Sequence, residues 1–181
     1  MNKKFEFTGE VEVFFGRTLH RIRAKIAFGN VEAGEIGGWI EKEENLSDSD
    51  NAWVCGNARV YGNAQVYGNA QVYGNARVYG NARVYGNALV YGDAQVFIQS
   101  HWLCIGPIGS RDDFTTFFRT KSLEIYVKCG CFRGSIQAFT KKVSETHGDS
   151  QYAKQYMAAI EVAKACINLT PEESAEPESE G

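Results

Sequence analysis

The sequence has no apolar run of roughly 18 or more residues, so no segment reads as a membrane-spanning helix. It also lacks the apolar core of a secretory signal, since Met1-Asn2-Lys3-Lys4 leads straight into Phe5-Glu6-Phe7-Thr8-Gly9-Glu10. The expected location is therefore cytoplasmic. The five cysteines, Cys55, Cys104, Cys129, Cys131 and Cys166, are odd in number and scattered, which is a poor disulfide framework and fits reduced, packed thiols. A basic excess is missing too. With 19 Lys+Arg against 22 Asp+Glu, the chain carries a net charge of -3, too little to draw it to nucleic acid or an anionic membrane.

Charge is instead distributed unevenly. Residues 1–29 hold six Lys/Arg against three Glu, and residues 30–50 hold one Lys against seven acidic residues. The 19 glycines exceed the usual share of about 7% and concentrate in one stretch. There the unit Val-Tyr-Gly-Asn-Ala-x recurs, with valines at 54, 60, 66, 72, 78, 84, 90 and 96 and alanines at 58, 64, 70, 76, 82, 88 and 94. A strict spacing of six does not fit the helical period of 3.6, but it accommodates one short strand and one corner, with Gly-Asn tolerating positive φ. Three units make a triangular coil. Residues 18 apart then stack at about 4.8 Å, which puts Val60 beneath Val78 and Val96, Tyr61 beneath Tyr79 and Phe97, and Asn57 beneath Asn75 and Asp93.

These features predict a mainly β protein, a triangular parallel β-helix of hexapeptide repeats over residues 36–99. Ile40 and Leu46, six apart, place its start near Ile36. A solenoid with open ends exposes unpaired strand edges, so the flanks must cap it. Alternation in Glu10-Val11-Glu12-Val13 and Leu19-His20-Arg21-Ile22-Arg23-Ala24 predicts an N-terminal β-hairpin cap within 1–35. Residues 100–169 read as a small α+β module. It has three strands (Trp102 to Ile108, Thr115 to Phe118, Glu124 to Lys128) and two helices capped by Ser135 and Ser150. The first helix would bury Ile136, Phe139 and Val143. The second would bury a stripe through Ala153, Tyr156, Met157, Ile160, Ala163, Lys164 and Ile167. Residues 170–181, rich in Glu, Ser and Pro, read as a disordered acidic tail.

The repeat resembles the hexapeptide-repeat family, with Val60 in the aliphatic position and Ala64 in the small one, although Tyr61 departs from the usual small second residue. That resemblance implies an acyltransferase using a histidine base. Yet His20, His101 and His147 all lie off the coils, and only His101, at the coil exit, could serve. Acyl transfer is therefore an alternative, and no catalytic residue is expected. Cys129 and Cys131, two apart on a strand, would face the same way. With His147 they make too few ligands for a structural zinc, which normally takes four, so neither metal nor cofactor is expected. The Tyr ladder, Tyr61, Tyr67, Tyr73, Tyr79, Tyr85 and Tyr91, interleaved with Arg59, Arg77 and Arg83, reads equally as a stabilising cover and as an exposed partner surface, since Tyr and Arg are enriched at interface hot spots. Arg111, Arg119, Arg133 and His147 are candidates for holding a small anion, and the alternative for Arg111 is a turn in which it pairs with Asp112 and Asp113.

Nearly the whole chain resembles uncharacterised phage and prophage proteins. The resemblance rests on Phe15-Gly16-Arg17-Thr18-Leu19-His20-Arg21-Ile22, Gly37-Gly38-Trp39-Ile40, the Tyr-Gly-Asn-Ala repeat, Ile108-Gly109-Ser110-Arg111, Cys129-Gly130-Cys131-Phe132 and Thr146-His147-Gly148. It implies a non-enzymatic accessory protein that acts by binding and counters host defence, either by inhibiting a protein effector such as a CRISPR component or by sequestering a small anionic signalling nucleotide. A homo-oligomer, dimer or trimer, is expected, with no membrane partner and no direct nucleic-acid binding. A self-assembling scaffold is the remaining alternative.

Overall fold

In the computed structural model, which describes residues 2–171, each repeat unit folds as a two-residue strand and a corner. The strands are β4 (Trp53–Val54), β5 (Arg59–Val60), β6 (Gln65–Val66), β7 (Gln71–Val72), β8 (Arg77–Val78), β9 (Arg83–Val84), β10 (Leu89–Val90) and β11 (Gln95–Val96). They pair in parallel at the expected offset of 18, Val60 with Val78 and Val78 with Val96, Val66 with Val84, and Val72 with Val90. The three faces of a triangular coil result. Every Val and Ala of the unit points inward and is fully buried, giving a core of small apolar side chains.

The corner depends on glycine. Gly56 to Gly92 all sit at φ between +61° and +74°, while no Asn of the repeat has positive φ. Asparagine has a different task, as its carboxamides run in chains from coil to coil. Asn51 donates to Asn69 at 3.1 Å, Asn69 to Asn87 at 3.0 Å, and Asn57 to Asn75 at 3.4 Å.

The solenoid starts one coil earlier than the perfect repeat. Strand β3 (Ile36–Ile40) pairs in parallel with β5, Ile40 with Val60, and Leu46 bridges Val66. The offset here is 20, because Ser47-Asp48-Ser49-Asp50 adds two residues before Trp53. Gly37 and Gly38 admit this coil: a Cβ at Gly37 would lie 2.5 Å from Ile22 Cγ1, and one at Gly38 2.7 Å from Ala58 O.

Strands β1 (Phe5–Phe14) and β2 (Arg17–Ala24) form the expected antiparallel hairpin, turning at Phe15 and Gly16, both with positive φ. β2 pairs with β3, so the hairpin continues one solenoid face in the order β1-β2-β3-β5-β8-β11. Its far end curls over the outer side of that face, where Glu12 takes two hydrogen bonds from Arg59 at 2.6 and 3.0 Å and Phe14 lies 4.5 Å under the same guanidinium. Side chains satisfy the backbone at the first coil. Asn45 Nδ2 donates to the carbonyls of Gly62 and Ala64, and the buried Lys4 Nζ donates to those of Asp50 and Ala52 at 3.1 and 2.9 Å. Burial pushes the Lys4 pKa below its ordinary value, opposed by nearby Asp50.

The other end is closed by a four-stranded antiparallel sheet, β12 (Trp102–Ile108), β13 (Asp113–Arg119), β14 (Ile125–Cys129) and β15 (Phe132–Ser135), not the three strands expected. Thr116 Oγ1 accepts from Leu89 N, Lys121 N donates to Asp93 O, and Ala94 bridges Thr120. Helices α1 (Ile136–His147) and α2 (Gln151–Cys166) start at the Ser135 and Ser150 caps as read, and form a second core with the sheet. Lys164, read into the buried stripe of α2, is exposed, and Ala159 takes a buried place there. Of the acidic tail, 172–181 lie outside the described residues. No helix among the described residues is long and apolar enough to cross a membrane.

Stacked corners predict unequal costs for the same substitution. A Cβ at Gly74 would meet Gly92 N at 2.9 Å, whereas one at Gly92 meets nothing within 4 Å. Both Gly74→Ala and Gly92→Ala should lose about 1–2 kcal/mol to left-handed strain, and Gly74→Ala roughly 1–3 kcal/mol more to overpacking. Urea unfolding of the two variants checks the difference.

Candidate functional site

The six tyrosines do not form one surface. They divide among three corners: Tyr61, Tyr79 and Phe97 stack at 5.0 and 5.2 Å, Tyr67 and Tyr85 at 5.2 Å, and Tyr73 and Tyr91 at 5.5 Å. Two of the columns end on an aromatic of the closing sheet, since Trp102 meets Tyr85 edge-on and Phe118 meets Tyr91 edge-on. Only Tyr85 is exposed, at 42%, while Tyr61 is buried and the others are half-buried. One continuous exposed ladder is thus corrected to three columns of largely covered rings, because stacking at the coil repeat covers the ring faces. Arg59 and Arg77 lie against Phe14 of the hairpin, and Arg83 stays exposed.

The expected anion ligands separate as well. His147 packs beside Tyr156 and Tyr152 at the helix junction. Arg119 is 2% exposed beneath Phe97, with Nη1 3.5 Å from Gln95 O and Nη2 3.4 Å from Thr170 O. Arg111 makes no ion pair among the described residues; its Nη1 lies 3.8 Å from Cys131 Sγ, so the turn pairing with Asp112 and Asp113 does not form. Cys129 and Cys131 do not share a strand face either. Cys129 pairs with Phe132, which leaves Gly130, at φ +54°, and Cys131 as the two-residue turn between β14 and β15. Among the described residues no group of three or more His, Cys, Asp or Glu could hold a metal ion.

Arg133 is the candidate that reaches a cleft. Its guanidinium lies 5.5 and 5.6 Å from the rings of Tyr73 and Tyr91. The cleft, about 700 Å³, opens between the Asn51-Asn69-Asn87 corner and the C-terminal sheet, and Lys128 stands in it beside Arg133. Lys128 is absent from the sequence reading, yet a signal for it exists. Once Gly130-Cys131 is taken as a hairpin turn, position 128 must face 133. A larger groove, about 1170 Å³, follows the Tyr61-Tyr79-Phe97 column from the hairpin turn to Asn168 and Pro171. Its cation, Arg17, is already paired with Glu41 at 2.9 Å.

The two most exposed large apolar side chains among the described residues are on the hairpin. β1 is an edge strand, and Val13 is 78%, Val11 57% and Phe15 50% exposed. Two of the three Glu on this strand are occupied, Glu6 with Arg23 and Glu12 with Arg59.

His101, the alternative acyl-transfer base, is 1% exposed, and its Nδ1 accepts from Phe97 N at 3.4 Å. That bond requires the neutral ring with the proton on Nε2. Burial, and then Arg119, push its pKa down to about 4 from 6.5. The unfolded chain therefore takes up a proton below about pH 6.5 that the folded chain refuses, so stability is full at neutral pH and falls between about pH 6.5 and 4. His101→Gln should flatten this segment of a plot of unfolding free energy against pH.

One family model, described as the YdcK beta solenoid repeat, matches residues 52–68, 70–84 and 82–96. No curated protein matches the chain. The matched segments coincide with the two regular coils and the start of the next. With the parallel registers above, they identify a β-solenoid repeat protein closed by a hairpin at one end and an α+β module at the other.

Proposed function

We propose that the protein acts by binding, and that its principal partner is another protein docked on the N-terminal hairpin. The observation that carries this reading is the exposed apolar pair Val11 and Val13 on an open edge strand, continued by Phe15 in the turn that follows it. Exposed apolar side chains grouped on one element mark interaction sites more often than scattered ones do. An edge strand also offers unpaired backbone groups to an incoming strand. Native proteins usually protect such an edge with charge, and here Glu6 and Glu12 are already engaged by Arg23 and Arg59.

The resemblance to phage and prophage proteins supplies the context of a cytoplasmic accessory protein. The partner is then a host immune effector inhibited by occupation. The Tyr and Arg columns contribute through Tyr85 and Arg83, their accessible members. A second copy of the chain could use the same edge, giving a closed dimer.

Affinity purification of the tagged chain from a bacterial host lysate should retain one host protein in stoichiometric amount. Val13→Glu combined with Val11→Lys is expected to reduce that capture at least tenfold while leaving the melting temperature within a few degrees. Undiminished capture by this variant, with loss in Tyr85→Ala, would move the interface to the ladder. A halved mass in light scattering for the hairpin variant would assign the edge to self-association.

A further inference from the structure

The β14–β15 hairpin places two like charges face to face. Lys128 and Arg133 are directly opposed in the antiparallel register, an arrangement that repels in the folded state. Neither makes an ion pair with any described carboxylate, and among the described residues the Lys128 ammonium donates only to the Gly130 carbonyl of its own turn. Burial and the neighbouring Arg133 push the Lys128 pKa below its ordinary value.

Both side chains line the cleft beside the Asn corner. The amide chain there runs one way, Asn51 to Asn69 to Asn87. It leaves the Asn87 amide nitrogen as the terminal donor on the wall. Asp113 also lines the cleft, and its Oδ1 accepts from Phe114 N at 2.7 Å. Two cations against one carboxylate leave the wall positive. The rings of Tyr73 and Tyr91 hold the Arg133 guanidinium in place, so less side-chain freedom is lost when its fork engages an oxyanion.

We propose that this cleft is a binding site for a phosphate ester, whose oxyanion bridges Lys128 and Arg133 and accepts a further hydrogen bond from Asn87. An anion between the two cations converts their repulsion into two charge-assisted hydrogen bonds. The site lies between the solenoid's Asn corner and the C-terminal sheet, stands apart from the hairpin interface and does not depend on it. A cleft of about 700 Å³ admits a ligand larger than phosphate alone, and Phe114 on its wall offers aromatic surface to the ester's organic part.

Titration calorimetry of the full chain with adenosine 5′-monophosphate, inorganic phosphate and adenosine tests the assignment. Saturable binding of the monophosphate, weakened at least tenfold in Lys128→Met and in Arg133→Met, is the expected result. Equal affinity for inorganic phosphate would assign the cleft to the free ion and overturn the ester. Absent binding by the wild type, or undiminished affinity in both variants, would overturn the site itself. Lys128→Met should also melt above the wild type in phosphate-free buffer of low ionic strength, because it relieves the facing charges. A lower melting temperature would instead make Lys128 a structural residue of the turn and overturn the assignment. Capture of a host protein by the hairpin is unaffected by any of these outcomes.

Discussion

Unpaired backbone at the two ends of the solenoid is the constraint to which the rest of the molecule answers. Within the coils, each strand finds its partners 18 residues away and the Val and Ala core is continuous. At the first and last coil the N–H and C=O groups have no further coil to meet, and leaving them buried and unpaired would cost roughly 1–3 kcal/mol each. Lys4 and Asn45 supply donors at one end. Thr116 and the main chain of Lys121 supply an acceptor and a donor at the other. The buried lysine is explained by this requirement, since three donors on a flexible stem can reach two carbonyls that no strand covers.

The aromatic columns meet the same requirement in apolar terms. A stacked ring covers its neighbour's face, but the last ring of each column would be bare. Trp102 and Phe118 close two of the columns, and Arg119, with His101, covers Phe97 at the end of the third. The C-terminal sheet is therefore attached at all three corners, which ties the cleft walls of the module to those of the solenoid. The hairpin end is asymmetric by comparison. It extends one face only, and this leaves Val11 and Val13 without a facing coil.

Period and residue type made the solenoid legible in the sequence, because Val, Ala and Gly at fixed offsets admit few other arrangements. Ile40 and Leu46 were enough to place the first coil, although the two-residue insertion before Trp53 hides it from a strict count of six. Serine caps and apolar spacing located both helices. Strand β15 was missed because Phe132-Arg133-Gly134-Ser135 is short and runs directly into the cap of α1, and with it went the pairing that sets Lys128 against Arg133. Burial of the tyrosines was hidden for another reason. One-dimensional spacing shows which rings stack, and only the geometry of the corners shows how much of each ring remains in water.

The triangular coil has one more consequence, for the relation between the two ends. A single six-residue unit contributes one face, a third of a turn, and advances the chain by about a third of a strand spacing. Gain or loss of one unit would preserve every local contact of the core yet swing the C-terminal module through roughly 120° about the solenoid axis relative to the hairpin. Only a change of three units keeps the hairpin edge and the cleft in their present mutual orientation. The number of repeats therefore works as an angular setting as well as a length, and the two candidate surfaces are fixed at one position of that dial.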